Sequence, residues 1–150
     1  MPGAEEQPQP MNVGVLMFIP YRAMENRIFA ALVAAGFDDF TLAQARLVQR
    51  LGPDGTRLTE LAEAAQVTKQ TASHLVDQLE KTGYVRRTPD PSDGRARLIR
   101  AAERGLAAKR IADPVAAEVE AEWRAHLGER LYGQLREGLT RLREITDPYA

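Results

Sequence analysis

The spacing of apolar residues predicts a mainly α-helical chain with one small β-hairpin. Six stretches carry apolar side chains three and four residues apart, as one face of a helix requires: 12–36, 41–51, 58–65, 69–82, 103–126 and 129–145. Two short segments, 84–88 and 96–100, flank a proline-rich turn and are predicted to be strands. The order helix, turn, helix, hairpin within 58–100 predicts a winged helix-turn-helix.

Capping residues support several of these boundaries. Asn12 and Thr68 each precede a helical pattern and can accept a hydrogen bond from a free N–H of the first turn. Thr41, followed by Gln44 three residues later, forms the capping-box pattern. Gly83 is placed to end the fourth helix.

Two prolines fall inside predicted helices. Pro20 removes a backbone hydrogen bond from the first helix, so we expect either a kink there or a short early piece before the true start. Pro114 disfavours helical geometry at Asp113, so we expect the fifth helix to be disturbed at that point.

The fourth predicted helix has two different faces. Its apolar stripe is Ala72, Leu75, Val76 and Leu79. The opposite side carries hydrogen-bonding side chains, many of them near the N-terminus of the helix: Gln70, His74, Asp77 and Lys81, with Lys69 and Ser73 at the edges. Such a surface suits a recognition helix that enters the major groove of DNA.

Charge is distributed unevenly along the chain. The net charge is −1, yet residues 66–110 hold ten Lys or Arg against five acids, a balance of +5, while the remainder carries −6. Four arginines lie on the predicted strands or directly beside them: Arg86, Arg87, Arg95 and Arg97. A basic hairpin beside a reading helix is suited to contacts with phosphates and the minor groove, so the partner we expect is double-stranded DNA.

Several classes of function lack the residues they need. The absence of cysteine excludes disulfides and thiolate chemistry within this chain. The only histidines, His74 and His126, lie on different helices, and neither a nucleophile motif nor a glycine-rich phosphate loop is present, so we expect no enzyme, no catalytic residues and no cofactor. We expect no metal site either; the alternative, a non-thiol metal sensor, would need Glu118 or Glu122 near His126.

The ends of the chain differ in character. Residues 1–10 are rich in proline, glutamine and glutamate and are expected to form a disordered tail. No apolar run is long enough to span a bilayer and no signal sequence is recognisable, so we expect a cytoplasmic protein without membrane contact.

The last helix carries an apolar stripe that must be buried against another surface. We expect this surface to belong to a second copy of the chain; the alternative is a helical bundle within one chain. The residues assigned to this interface are Val13, Leu16, Leu127, Leu131, Leu135, Leu139, Leu142 and Ile145. The expected organisation is a helical dimerisation region at 11–36 and 103–147, with a winged helix-turn-helix DNA-binding domain at 37–102.

Apolar and aromatic side chains surround Pro20. A kink there could open a small pocket for an apolar ligand, lined by Met17, Phe18, Tyr21 and Met24. The same residues could instead serve only as packing.

The segment LTELAEAAQVTKQTASHLVDQLEKTGYVRR and the wing DPSDGRARLI resemble the MarR family of bacterial transcriptional regulators. The resemblance spans residues 12–146. Its most specific part is the hairpin with Asp93 and Arg95 two residues apart, preceded by LEKTGYV.

The resemblance implies a homodimer that presents two winged helix-turn-helix units to pseudo-palindromic DNA, usually as a repressor that responds to a small aromatic or amphipathic ligand. It implies base reading by Lys69, Gln70, Ser73 and His74, minor-groove entry by Arg95, and an Asp93 that orients this arginine. The full set of expected DNA contacts is Thr68, Lys69, Gln70, Thr71, Ser73, His74, Arg86, Arg87, Asp93, Arg95 and Arg97.

Three positions depart from the family pattern. Gln66 stands in the helix-turn-helix turn where glycine is usual, which predicts a strained turn. Ala102 replaces a common threonine cap before the fifth helix, and His74 replaces a common arginine on the reading helix. A winged helix used only as a protein-interaction module remains the alternative to a DNA-binding regulator.

Overall fold

The computed structural model describes residues 9–150, which form six helices and one two-stranded antiparallel hairpin. The helices are α1 (Val13–Ala34), α2 (Leu42–Val48), α3 (Leu58–Ala65), α4 (Lys69–Lys81), α5 (Glu103–Leu127) and α6 (Glu129–Thr146). The strands are β1 (Val85–Asp90) and β2 (Asp93–Ala101). The predicted fold class, mainly α with a hairpin wing, is confirmed. Of the predicted disordered tail, residues 1–8 lie outside the described residues, while Gln9 and Pro10 are exposed.

The predicted caps are present. The Asn12 side chain accepts a 2.9 Å hydrogen bond from the backbone N–H three residues later. Both bonds of the capping box are formed, from Gln44 N to Thr41 Oγ1 at 3.1 Å and from Thr41 N to Gln44 Oε1 at 3.0 Å. Thr68 Oγ1 accepts from Thr71 N at 3.0 Å. These contacts satisfy N–H groups that the first helical turns leave unpaired.

Neither proline breaks its helix. α1 runs through Pro20 as one element, so no separate early piece precedes it. α5 likewise runs through Pro114, so the disturbance expected at Asp113 does not end the helix. α1 packs along α5. We attribute the continuity of both helices to this packing, because tertiary contacts can offset a backbone hydrogen bond that proline removes.

The hairpin is longer than the sequence predicts. The strands pair from Val85 opposite Ala101 to Asp90 opposite Asp93, beyond the predicted limits 84–88 and 96–100. The tip closes tightly because Asp90 Oδ1 accepts from Ser92 N at 2.8 Å, a side-chain turn that replaces a longer loop.

The core lies between α2, α3, α4 and the base of the hairpin. The stripe predicted on α4 is buried, with Ala72 and Val76 fully enclosed. Leu47 of α2, Leu61 of α3 and Ile99 of β2 pack against it. α4 therefore has one face fixed in the core and the other free.

Tyr84 joins the core to α5. Its backbone N–H donates to Leu79 O at 2.9 Å, and its carbonyl accepts from Ala102 N at 2.9 Å. Ala102 offers no side-chain cap, so this backbone bond starts α5. Gly105 lies directly over the same carbonyl: a Cβ at this position would stand 2.2 Å from Tyr84 O.

The end of α6 is tied to α2 and α3. Arg50 donates to both carboxylate oxygens of Asp147 at 2.7 and 2.8 Å, and Tyr149 Oη donates to Glu63 at 2.7 Å. Arg50 and Arg143 beside it hold the pKa of the Asp147 carboxyl well below its usual range. The long helices therefore contact the core at both α5 and the end of α6.

The turn between α3 and α4 carries the strain expected at Gln66. Its φ and ψ angles of 58° and 44° are left-handed, and it is the one non-glycine residue with positive φ between residues 9 and 150. A side chain in this region costs roughly 1 kcal/mol that glycine avoids.

We predict that Gly105→Ala destabilises the protein while Gly133→Ala does not. At Gly105 the added methyl clashes with Tyr84 O, so α5 must shift, at a cost of about 3 kcal/mol. Gly133 lies in α6 with nothing within 4 Å of the position that a Cβ would take, so alanine there should stabilise by about 0.5–1 kcal/mol. Urea unfolding monitored by circular dichroism measures both, and equal effects would contradict the close approach at Tyr84.

Candidate nucleic-acid interface

The N-terminal half of α4 presents the predicted reading surface. Because Ala72, Leu75 and Val76 anchor the opposite face in the core, the polar side chains point outward. Six of the predicted DNA contacts lie on α4 or its cap. Ser73 is half-buried, and the other five are exposed: Thr68, Lys69, Gln70, Thr71 and His74.

These side chains differ in whether they are hydrogen-bonded to other protein groups. The hydroxyl of Thr68 donates to that of Thr71 at 2.9 Å, so both threonines are engaged at the cap. Within residues 9–150, the side chains of Lys69, Gln70 and His74 make no hydrogen bond to protein. They are the donors and acceptors of this surface that remain free for base edges.

Two arginines of the wing are free and exposed. Arg95 stands near the tip and Arg97 opposite Pro89. Neither guanidinium lies within ion-pair distance of an acid in the described part of the chain. Their uncompensated charge suits them to phosphate or minor-groove contact.

Arg86 and Arg87 face opposite sides of β1, as alternation along a strand requires. Arg87 turns toward α4 and donates to Asp77 at 2.8 Å and to Glu80 at 3.0 Å. Arg86 is exposed on the other side, in a shallow hollow that Leu106 and Arg110 of α5 also line. Arg87 is therefore paired with α4, while Arg86 lies on the side of the strand that faces α5.

The resemblance gives Asp93 the role of orienting Arg95. In the structure the Asp93 carboxylate accepts a 3.0 Å hydrogen bond from the backbone N–H of Arg95, and no ion pair joins the two side chains. Asp93 therefore contacts the backbone from which the Arg95 side chain projects. The reason is local geometry, because an aspartate bonds readily to the N–H two residues later.

Sequence reasoning missed a second acid of the wing. Asp90 is buried and accepts from Arg57 at the start of α3 as well as from Ser92. The Ser92 hydroxyl and N–H, together with Arg57, lower the pKa of the Asp90 carboxyl to about 2. The Asp-Pro-Ser spacing signals the contact to Ser92, but nothing local signals Arg57, which is 33 residues away.

The residues assigned to the dimer interface are mostly exposed. Within the described chain α6 packs on α5 mainly through Tyr132, whose ring lies under Arg124, and its apolar stripe faces outward. Ile145 is 83% exposed and Val13 65%. Leu127 alone of the set is half-buried; the other exposed members are Leu16, Leu131, Leu135, Leu139 and Leu142.

The four residues of the expected ligand pocket lie on α1. Met17, Phe18 and Tyr21 are exposed and Met24 is half-buried. The Tyr21 hydroxyl donates to Glu25 at 3.0 Å and accepts from Gln49, just after α2, at 3.2 Å. Of the four residues, Tyr21 therefore contacts the end of α2.

The carboxylates that a metal sensor would require are engaged otherwise. Glu122 forms an ion pair with Arg27 of α1, and Glu118 lies 3.9 Å from the same guanidinium. Within the described ranges no group of three or more His, Cys, Asp or Glu is placed to hold a metal. Among these same residues, no helix has the length and apolar character needed to cross a membrane.

Comparison with known proteins agrees with this geometry. Residues 38–96, which include α2 to α4 and most of the hairpin, match the model of the MarR family. No curated protein sequence matches the chain.

Solved structures share the whole fold. The transcriptional regulator SlyA is 21% identical with a TM-score of 0.69, covering 91% of this chain and 94% of its own. MarR is 24% identical with a TM-score of 0.68, covering 91% and 98%. CouR from Rhodococcus jostii RHA1, solved with p-coumaroyl-CoA bound, is 24% identical with a TM-score of 0.69, covering 91% and 93%. Residues 38–96 are thus similar to the MarR family, and the fold of the chain is that of these solved regulators.

Proposed function

We propose that this protein regulates transcription by binding pseudo-palindromic double-stranded DNA as a homodimer, and that it is a repressor released by a small ligand. The proposal rests on one observation. In the described chain, α4 exposes polar side chains that bond to no protein group, and the wing beside it carries Arg95 and Arg97 with no acid within ion-pair distance. The alternative, a winged helix used for protein contacts, needs neither feature.

Electrostatics support DNA as the partner. Lys69, Arg95 and Arg97 are exposed on α4 and the wing and have no acid within ion-pair distance in the described chain. Lys69 begins the helix whose N-terminal residues read bases in this type of motif. The division of labour follows from geometry: the helix reads sequence, and the wing contributes affinity and groove shape.

The apolar stripe of α6 supports a homodimer. Its leucines recur every three or four residues, and the described chain leaves them in water. A contiguous exposed apolar surface of this kind marks an interaction site. We take this partner to be a second copy of the chain. Two reading units can bind a pseudo-palindromic DNA site only if the protein has the two-fold symmetry of that site.

A solved structure with the same fold supports the ligand-responsive role. CouR has the same fold and was solved with p-coumaroyl-CoA, which contains an aromatic acyl group. In this chain Met17, Phe18, Tyr21 and Met24 lie on one stretch of α1, and the Tyr21 hydroxyl contacts Gln49 of the expected DNA-binding domain. We therefore propose an aromatic or amphipathic effector there.

Replacing Arg95 by alanine should weaken binding to every duplex tested by about tenfold, the equivalent of one hydrogen bond to a charged group. Fluorescence anisotropy on a site selected from random duplexes measures this, and wild-type affinity should fall steeply with salt. Lys109→Ala removes the same charge from α5 and should leave affinity unchanged. Unaltered binding by Arg95→Ala would show that the wing does not contact DNA.

Replacing Gln70 by alanine should relax base preference, with weaker binding to the selected site and little change on duplexes that lack the preferred base pair. A bidentate contact to one base pair contributes about 1–3 kcal/mol of discrimination, so the variant should accept substitutions at that position of the selected site. The slope of affinity against salt should stay that of the wild type, since no phosphate contact is lost. A variant that keeps the full wild-type preference would place base reading on other residues.

The double variant Leu135→Glu, Leu139→Glu should be monomeric. Two carboxylates in a buried apolar seam cannot be accommodated, and loss of the second reading unit should weaken binding to the full site about 100-fold or more. Sedimentation velocity gives the oligomeric state. Gln134→Glu, which adds a charge beside the stripe, is the matched control and should stay dimeric; a wild-type monomer at micromolar concentration would refute the dimer.

A further inference from the structure

We propose that Arg57 is a positioning residue for the wing, which affects DNA binding through Asp90 and the tip that carries Arg95, without itself contacting DNA. This inference rests on the proposed DNA-binding function. It assigns a role to a basic residue outside the recognition helix and the hairpin.

The contacts of Asp90 use both of its oxygens. Arg57 donates to Oδ2 through Nε at 2.9 Å and through Nη2 at 2.7 Å. Oδ1 accepts from the N–H of Ser92 at 2.8 Å and from its hydroxyl at 2.7 Å. Asp90 is 7% exposed, so one buried carboxylate links the segment before α3 to the turn of the wing.

Arg57 is itself held on the hairpin side of α3. The preceding residue, Thr56, exchanges two backbone hydrogen bonds with Ile99 of β2, at 3.0 and 2.8 Å. The segment therefore contacts β2 through its backbone and the end of β1 through the Arg57 side chain. On its other side the hairpin is braced by Arg87 against α4.

The position of Asp90 explains why this anchor matters. It is the last residue of β1 and pairs with Asp93 across the tip, where the register of the two strands shifts. Asp93 in turn bonds the N–H of Arg95. Residues 91–95 thus extend beyond the last anchored point, and the Asp90 contacts fix the turn from which the Arg95 side chain projects.

The energetic consequence is preorganisation. A tip that is already ordered loses less conformational entropy when Arg95 enters DNA, so affinity is higher for the same contact. Because two of its nitrogens already bind Asp90, Arg57 is engaged in a pair rather than free for phosphate. Its removal should therefore act on DNA only when Arg95 is present.

The test is a double-mutant cycle on the selected duplex, measured by fluorescence anisotropy with the full chain. Arg57→Ala should weaken binding about fivefold through the lost order of the tip. Arg57→Ala combined with Arg95→Ala should bind no more weakly than Arg95→Ala alone. Arg57→Lys, which can keep only one of the two bonds to Oδ2, should fall between wild type and Arg57→Ala.

Two further variants separate the wing from general stability. Arg27→Ala removes a cation and an ion pair between α1 and α5, and should leave affinity for the duplex unchanged. Ser92→Ala keeps the Arg57 pair but removes the hydroxyl contact, so a loss of about twofold is expected and the tip is tested even if Arg57→Ala fails to fold. Thermal unfolding of every variant shows which ones are folded at the assay temperature.

The outcomes are distinct. Independent losses in the cycle, or wild-type affinity in Arg57→Ala, would overturn the positioning role, as would full binding by Arg95→Ala. If Arg95→Ala weakens binding and Arg57→Ala does not, the inference fails while the DNA-binding function stands. If the wild-type protein binds no duplex, the proposed function itself fails.

Discussion

The fold depends on the backbone of Tyr84, where the winged helix-turn-helix unit and the long helices meet. Its N–H closes the end of α4 and its carbonyl starts α5. Its ring centroid lies 5.7 Å from that of Phe40 and 5.0 Å from the guanidinium carbon of Arg104. Its hydroxyl donates to Asp39, which also accepts from Arg104. A shift of α5 should therefore also move α4 and the hairpin. Tyr84 is hydrogen-bonded to the end of α4 and to the start of α5, and it directly precedes β1.

Ion pairing divides the arginines of the wing into two groups. Arg87 pairs with Asp77 and Glu80 of α4, whereas Arg95 and Arg97 are exposed and pair with no acid among residues 9–150. Only the second group has the free charge that the proposed DNA contact requires. A count of basic residues could not separate the two groups, because each depends on whether an acid from another element lies within reach.

Features set by neighbouring residues could be predicted from the sequence. The capping box at Thr41, the limits of α4 within one residue, the buried stripe and the strained turn at Gln66 all follow local rules. Continuous helices through Pro20 and Pro114 could not be predicted, since tertiary packing decides there. The anchoring of Asp90 by a residue 33 positions earlier was equally out of reach, because only the folded chain brings the two together.

The two prolines have a mechanical consequence for the helices that carry them. Neither Pro20 nor Pro114 has an N–H, so the carbonyls of Leu16 and Arg110 lack their usual helical donors. A helix bends most readily where its hydrogen-bond ladder is interrupted. α1 and α5, which pack along each other, therefore each contain one point of reduced bending stiffness. α1 and α5 can therefore bend at these two points without either helix being broken.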